Sequence, residues 1–513
     1  MTATYDKKNA IPAPRDRADR QRQHRSLRPL AILLMTGTLA GCAVGPDYRT
    51  PLLALPAQWG SNKHIKPSKP PELSQWWRRL NDPILNTLVE EAVAGNLDVA
   101  TAKAEIREAR ASYRQTVGAL FPSLDGTGSA TRSRTAGSTS GGVSTSPSTG
   151  NQFQTGFDAS WELDLFGANR RAVEAARYGM DASEEEFRAT LLTLIGDVTS
   201  NYVEARGYQA RIALARRTAA SQRETAALTR NKFQAGASSA VDVANAAGQA
   251  ASTEADIPSL EASYAEAVHR LSVLTGRAPA ALTDRLKKTR PIPTPKLPIP
   301  TGIPADILVT RPDVRLAERQ YAQYTAKIGQ AEAARYPSAS LTGDIATSGL
   351  KVGDLGKSSS ISWSFGPSLT VPIFNAGQLA AAVDVARAQR DQYFVAYRSS
   401  VLTALEDVEN AIVSLAQERI RNGKLAISAK NYRDAASLSR ALYQSGSSSF
   451  LDVLDAERSL YSAEDSLIQS RVSISTDYIA LNKALGGGWD GYVDASRPEV
   501  VDINTGPHLA AAK

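Results

Sequence analysis

The sequence lacks most of the residues from which catalytic and metal sites are built. It has one cysteine, so no disulfide can form within the chain. It has no glycine-rich phosphate-binding loop and no Gly-x-Ser-x-Gly nucleophile motif. None of the histidines has a cysteine or a second histidine at metal-ligand spacing; they are His24, His64, His269 and His508. The sequence therefore does not predict an enzyme, and we expect neither a metal ion nor a cofactor.

The N-terminal apolar run is too short to span a bilayer, which takes about 20 residues. It covers residues 30–40, follows a basic stretch and ends in small residues before Cys42, the pattern of a secretory signal. The end of the run resembles the lipobox of a bacterial lipoprotein, in which the cysteine is lipidated and becomes the first residue. Ala43, in place of aspartate, points to the outer membrane by the same resemblance. We predict a signal peptide over residues 1–41 and a covalent lipid on Cys42; the alternative is a buried free thiol.

The positive charge of the chain lies mostly in that signal. The whole sequence has 59 basic and 52 acidic residues, a net charge of +7. Residues 1–41 contain 8 of the basic and 3 of the acidic residues, which leaves 51 against 49. A nearly neutral mature chain gives no compositional support for nucleic-acid binding.

The rest of the chain contains two copies of one unit. Arg-x-x-Phe-Gln-Ala-Gly-x-Ser-x-x-Val-Asp-Val begins at Arg230, and a closely similar segment begins at Arg440. Equivalent residues lie 210 positions apart in four pairs: Gly236 and Gly446, Asp242 and Asp452, Leu271 and Leu481, Gly276 and Gly486. A constant offset indicates a structural duplication, so the function is sought in what two copies build together.

Four segments alternate between apolar and polar residues, as strands do. The pattern is strong over 153–165 and 361–373 and weaker over 121–133 and 336–348, with Ser/Thr/Gly-rich loops at 134–152 and 349–359. We predict two β-hairpins. In the second strand the polar face is acidic and contains Asp158, Glu162 and Asp164. These side chains are predicted to face a water-filled lumen; a pair of acid–base carboxylates and a soluble β-sandwich are the alternatives.

The remaining segments are helical. Residues 170–234 and 376–444 contain no proline and predict helices on the order of 100 Å long. Ser239-x-x-Asp242 and Ser449-x-x-Asp452 predict capping boxes for two returning helices, and further helices are expected at 83–119 and 305–335. The predicted organisation after the signal is an extended segment at 42–82, a first repeat at 83–283, a proline-rich connector at 284–304, a second repeat at 305–489 and a tail at 490–513.

Four strands of this length cannot stand alone in lipid. An open sheet edge would leave backbone groups without hydrogen bonds at several kcal/mol each, so the sheet must close. Two copies of the chain give an eight-stranded barrel filled by side chains, whereas three give twelve strands and room for a lumen. The acidic face favours water inside, so the sequence predicts a homotrimer.

Several motifs together resemble one family. Cys42-Ala-Val-Gly-Pro-Asp-Tyr, Trp76-Trp77, Arg311-Pro-Asp-Val and the ending Ala484-Leu-Gly-Gly-Gly-Trp are similar to those of the NodT-type outer-membrane factors of resistance-nodulation-division efflux systems, relatives of TolC. The resemblance implies a mainly α fold with a β-barrel part: a trimeric barrel of twelve strands on a periplasmic tunnel of twelve helices. It also implies an outer-membrane location, a periplasmic adaptor protein and an inner-membrane efflux transporter as partners.

The same resemblance assigns roles to the two repeat turns. It implies adaptor contact at the tips, which contain Gly236, Ser238, Gly446 and Ser448, and a tie between Tyr443 and Asp242 that closes the periplasmic entrance. Ser448 replaces an arginine of that latch, so a looser gate is expected. Asp452 and Asp455 lie three apart at a helix start and can project from one face. We predict that they form a cation-preferring constriction, although capping alone also accounts for Asp452.

Alternative functions differ in what they require of the sequence. A channel for type I protein secretion shares the architecture. A structural or adaptor lipoprotein of the periplasm would have one helical hairpin without duplicated barrel strands, and a lipidated hydrolase would need a catalytic constellation. The sequence favours an efflux channel for drugs or other toxic compounds.

The lipid assignment is tested at Cys42. Because the thiol is the predicted attachment point, Cys42→Ser should abolish labelling by a fatty-acid probe. Trimers should still form, since the barrel and not the lipid is expected to hold the protein in the membrane. Labelling that persists in the variant would show that the lipid is attached elsewhere.

Overall fold

A computed structural model describes residues 43–60, 73–137, 139–140, 143–144, 146–295 and 304–496. The predicted signal peptide, Cys42 and most of the predicted tail lie outside the described residues. So do parts of the connector and of the loop at 134–152. The chain divides into two compact units. One contains Val117–Ala172, Ile328–Asp384 and the described residues before Asp47, and the other contains Asp47–Thr116, Val173–Lys327 and the described residues from Val385 onward.

The first unit is built on an antiparallel sheet of four strands in the order β1-β2-β3-β4. The strands are β1, Ser123–Thr135; β2, Ser148–Glu162; β3, Ser338–Gly349; and β4, Ile361–Thr370. The two predicted hairpins are confirmed, β1 with β2 and β3 with β4, and they join through β2 and β3. A two-residue ribbon pairs Thr139–Ser140 with Val143–Ser144. Within the described residues, β1 and β4 each pair on one side only.

The long helices lie close to their predicted positions. Helix α3 covers Ala168–Gln234 and α6 covers Gln378–Ser445, and each is followed by a returning helix, α4 at Ala240–Leu274 and α7 at Phe450–Ala484. At about 1.5 Å per residue, α3 and α6 are each about 100 Å long. None of the helices among the described residues is both long enough and apolar enough to cross a membrane.

The helices predicted at 83–119 and 305–335 are each interrupted. The first is divided into α1, Pro83–Gly95, and α2, Leu97–Gly118, because Asn96 adopts an extended conformation and accepts hydrogen bonds from the backbone of Asp98 and Val99. The second is divided at Arg311, which is extended because it precedes a proline. Helix α5, Pro312–Ala333, begins there, after a single turn at Ile307–Thr310.

Aromatic residues from both ends of the second unit meet in its main core. Trp76 and Trp77 are both 1% exposed. The indole of Trp76 donates to the carbonyl oxygen of Gly487 at 3.2 Å, and Trp77 stacks on Trp489 with ring centroids 6.0 Å apart. Tyr478 donates to the Trp76 carbonyl oxygen at 3.1 Å. The motif residues that are distant in sequence therefore form one packed cluster.

A buried polar network joins that core to α3. The Asp82 side chain caps α1 by accepting from Ile84 N at 2.9 Å, and its second oxygen accepts from the Tyr202 hydroxyl at 2.7 Å. Burial, and then the bond to Asp82, raises the pKa of Tyr202 above its ordinary value, so the hydroxyl stays a donor. Arg206, which is 1% exposed, donates to Tyr202 and to the carbonyl oxygens of Leu286 and Lys288.

The glycine that follows α4, Gly276, allows a prediction about thermal stability. Gly276 has a φ of +72°, and a Cβ at this position would lie 2.0 Å from the carbonyl oxygen of Gly95. A left-handed backbone costs other residues about 1–2 kcal/mol, and the overlap adds to this. Because one kcal/mol shifts the midpoint of a chain of this length by only about 1–2 °C, Gly276→Ala should lower the thermal unfolding midpoint of the purified protein by roughly 2 °C or more.

Gly248 supplies the matched control for this change. It lies inside α4 with no heavy atom within 4 Å of an added Cβ. Alanine favours a helix interior over glycine by about 0.5–1 kcal/mol, so Gly248→Ala should leave the midpoint equal or higher. Similar midpoints for the two variants would contradict the steric argument.

Candidate functional site

One face of the four-stranded sheet is apolar and exposed. The register places Phe157, Ile345 and Trp363 side by side on β2, β3 and β4, and they are 58%, 49% and 74% exposed. Other large apolar residues extend this face: Leu124, Trp161, Phe365 and Leu369. In a soluble sheet such residues pack against a core. Their exposure along the whole sheet is typical of a surface that contacts lipid.

The opposite face is polar and contains a row of carboxylates. Because neighbouring side chains alternate, Asp158 points away from Phe157, and it pairs in register with Asp125 on β1 and Asp344 on β3. Thr127 donates to Asp158 at 3.3 Å, and Ser364 donates to Asp344. Like charges directly opposite each other destabilise a sheet unless water screens them. The row therefore suits a hydrated face.

The structure places two members of the predicted acidic set on the polar face and the third elsewhere; the lumen itself stays a prediction. Asp158 and Glu162 are exposed on the polar face, and Glu162, the last residue of β2, pairs with Ser340. Asp164 is not on this face. Its φ of +44° ends the extended chain, and its carboxylate accepts from Asn169 N and Arg170 N, both at 3.0 Å. It also pairs with the Arg170 guanidinium, so it caps α3 and does not face a lumen.

Two further members of the row, Asp125 and Asp344, were not predicted. Their strands alternate weakly in sequence, and each residue is an isolated carboxylate among small polar residues. Only the register of β1, β2 and β3 brings them level with Asp158. Register is the pairing of residues between strands, so the alternation within one strand does not predict it.

The two repeat turns have the same backbone structure. Gly236 and Gly446 have φ values of +77° and +83°, as expected for glycines that end helices. Ala237 N donates to Lys232 O at 2.7 Å, and Ser447 N donates to Leu442 O at 2.8 Å, which closes the last turn of α3 and of α6. Among the described residues, no heavy atom outside the glycine and its two chain neighbours lies within 4 Å of a Cβ added to either one.

Both predicted capping boxes are formed. Asp242 N donates to Ser239 Oγ at 3.1 Å and Ser239 N donates to Asp242 Oδ2 at 2.9 Å; the equivalent distances for Asp452 and Ser449 are 3.3 and 3.1 Å. Ser238 and Ser448 donate to the same carboxylates at 3.0 and 2.8 Å.

These hydrogen bonds lower the pKa of both carboxyl groups. For Asp242 the main cause is the backbone of Ser239, and for Asp452 it is the hydroxyl of Ser448. Each bond favours the charged form because an ionised oxygen accepts more strongly than a neutral one.

Tyr443 does not contact Asp242 within the described chain. Its ring is 4% exposed and packs against Phe450, and its hydroxyl lies 3.1 Å from Thr229 Oγ1. Lys232 donates to the Tyr443 carbonyl oxygen, with its ammonium 4.4 Å from the ring centroid. The carboxylate of Asp242 binds its own capping serines instead. Within one chain the predicted tie between Tyr443 and Asp242 is not formed, and a tie between copies stays a prediction. Sequence reasoning missed Lys232 and Thr229.

The acidic pair of the second turn is exposed. Asp452 and Asp455 both lie on the surface of α7, with the capping role confined to Asp452. No group of three or more histidine, cysteine or acidic side chains among the described residues is placed to hold a metal ion. The arrangement offers charge at a turn and no catalytic geometry.

Comparison with known proteins connects these features. The family model for "Outer membrane efflux protein" matches residues 88–277 and 303–487. Nodulation protein T of Rhizobium leguminosarum bv. trifolii is 37% identical over 453 residues, covering 88% of this chain and 96% of the relative. Cation efflux system protein CusC of Escherichia coli strain K12 is 33% identical over 476 residues, covering 90% and 99%.

A solved structure agrees with the sequence comparisons. The outer-membrane channel OprN superimposes with a TM-score of 0.81 at 34% identity and covers 87% of this chain and 100% of its own. The NodT-type resemblance is thereby confirmed, and so is the fold class. The matched repeats, the two-faced sheet and the long helical hairpins place this chain in the outer membrane efflux protein family.

Proposed function

We propose that the chain is the outer-membrane channel of a tripartite efflux pump and conducts small molecules passively from the periplasmic pump components to the exterior. The observation that carries this function is the sheet with an exposed apolar face and an acidic face. A closed β-sheet that has its outer face in lipid and its inner face in water lines a pore. Relatives named for cation efflux and for nodulation are similar over nearly the whole chain, so the proposal names no single cargo.

Closure of the sheet by three copies completes the pore. The free sides of β1 and β4 would pair with neighbouring copies, which leaves no edge in the hydrocarbon. Twelve strands leave a lumen for the hydrated row of Asp125, Asp158 and Asp344, whereas eight would be filled by side chains.

Helix α6 also supports association with further copies. It exposes large apolar residues at spacings of seven and eleven, close to whole numbers of turns, so that they form one stripe: Val395, Leu402, Val413, Ile420, Ile427 and Leu438. Exposed stripes of this length need a partner. A second copy of the chain fits, since the same contact repeated around a threefold axis covers the stripe in every subunit.

The repeat turns are proposed to meet the periplasmic adaptor. Beside the two capping boxes, Val241 and Leu451 occupy equivalent positions and are 67% and 59% exposed. An exposed apolar residue beside a rigid turn, present twice, gives a docking protein the same contact in each repeat. The lipid on Cys42 would add a second attachment to the membrane, and an inner-membrane transporter would supply the cargo.

The adaptor contact is tested at the turn glycines. A side chain at positive φ is strained, and a β-branched one more so. Gly236→Val and Gly446→Val should therefore distort the tips and lower resistance to exported compounds in a strain that depends on this channel, while trimers persist in the membrane. Gly248→Val serves as the control, because Gly248 lies inside α4 with open space around it and should retain resistance. Full resistance in both turn variants would argue against docking at the tips.

The channel and its gate are tested by conductance in planar bilayers. The purified protein should form pores that trivalent cations block from the periplasmic side, because three copies would bring six carboxylates of Asp452 and Asp455 to the axis. The double change Asp452→Ala with Asp455→Ala should abolish the block. Since the pKa of Asp452 is lowered, part of the block should persist as the pH falls to about 4, where an ordinary aspartate is already about half protonated.

The first repeat supplies the control for lost capping. Asp242→Ala with Asn245→Ala removes the equivalent cap but only one carboxylate, so most of the block should remain. If both double variants lost the cation block equally, the loss would be due to the missing helix cap and not to the missing carboxylates. A protein that forms no pores at all would contradict the channel function itself.

A further inference from the structure

A cavity lies where α3 of the first hairpin meets α6 and α7 of the second. Its volume is about 460 Å³. Its polar lining comes from all three helices: Arg217, Thr218, Ser221 and Gln222 on α3, Arg433 and Arg440 on α6, and Glu457 and Glu464 on α7. It lies on the helical part of the chain and shares no residue with the sheet or with the capping boxes.

The charges around the cavity do not balance. Arg433 pairs with Glu464, and Arg440 pairs with Glu457 at 2.5 Å. The third guanidinium, on Arg217, has no hydrogen-bond or ion-pair partner in the described part of the chain. Three cations face two carboxylates, so the cavity retains one positive charge.

Three buried polar atoms, two on Gln222 and one on the half-buried Arg440, have no hydrogen-bond partner in the described part of the chain. Gln222 is 2% exposed, and neither atom of its amide group has a hydrogen-bond partner. The Nε of Arg440 is also buried without a partner, although the other end of its guanidinium binds Glu457 and Ser221. Buried polar atoms without partners are uncommon and destabilising, so a bound polar group is expected beside them.

The duplication separates the lining residues that both repeats share from those that only one repeat has. The pair Arg433–Glu464 recurs 210 positions earlier as Arg223–Glu254. By contrast, the residues equivalent to Arg217 and Gln222 in the second repeat are Ile427 and Tyr432. The unpaired cation and the unpartnered amide are therefore specific to one of the two repeat positions.

We propose that this cavity binds a small oxyanion, a carboxylate or sulfate group, between Arg217 on α3 and Arg440 on α6. The Arg217 guanidinium, the Arg440 Nε–H and the Gln222 amide N–H supply donors, and charge-assisted bonds to an anion are the strong ones available to them. The Gln222 carbonyl oxygen is then left to accept from a hydroxyl of the ligand or from a water molecule. A bound anion would link the first helical hairpin to the second.

Binding is measured by equilibrium dialysis of the full-length protein in detergent against radiolabelled sulfate at low ionic strength. One saturable site per chain is expected, and acetate should compete for it. Arg217→Gln should weaken binding about tenfold or more, because it removes a charged donor. Arg216→Gln is the matched control: this neighbour is paired with Glu261 at 2.6 Å, does not line the cavity and should leave the affinity unchanged.

A second variant distinguishes the cavity from general surface charge. Gln222→Leu keeps every charge and removes the unpartnered amide, and it should weaken sulfate binding several-fold. Circular dichroism confirms that each variant keeps its helical content. Absence of saturable binding, failure of acetate to compete, equal loss in Arg216→Gln and Arg217→Gln, or full affinity in Gln222→Leu would each overturn the proposal. The dialysis result does not depend on conductance, so it is separate from the channel function.

Discussion

The main constraint on this fold is that every backbone hydrogen bond must be satisfied where the sheet lies in hydrocarbon. Among the described residues, one chain provides four strands and leaves an unpaired side on β1 and on β4, so those strands cannot satisfy the constraint alone. The exposed apolar face and the acidic row are useful only after the sheet has closed. In the proposed trimer, assembly is thus part of folding for this unit, and the apolar stripe of α6 would be covered by a neighbouring copy in the same way.

The sequence predicts features with a strong local period and fails where one residue changes the direction of the backbone. Strand alternation, long helices and both capping boxes are evident because each repeats a local pattern. Asp164 was assigned to the polar face because it lies an even number of residues from Asp158, as side chains on one face of a strand do. The strand ends before Asp164, whose φ is +44°, so the alternation no longer applies there. Asn96 interrupted a predicted helix because its side chain competes for backbone N–H groups. The acidic row depended on register, a long-range property.

Comparison of the repeats separates residues that the fold requires from those that add something else. The positive φ of Gly236 recurs at Gly446, and each capping box has its equivalent, so these features maintain the turns. Tyr443 is different: it is 4% exposed, whereas its equivalent Phe233 is 45% exposed. The second turn is therefore anchored to α3 through Thr229 and Lys232, while the first turn has an aromatic residue left on its surface. Two copies of one turn thus present different surfaces.

The acidic pair of the second turn shows how a structural charge becomes available for function. The carboxylate of Asp452 accepts from Ser448 and Ser449, which hold it in place and keep it ionised. A carboxylate has about four acceptor positions, so capping does not exhaust it. Asp455 has no capping duty, and its equivalent is Asn245. The hydrogen-bonded carboxylate of Asp452 and the exposed carboxylate of Asp455 on the same helix face therefore strengthen the local field beyond what the repeat requires, without a change in the backbone that supports them.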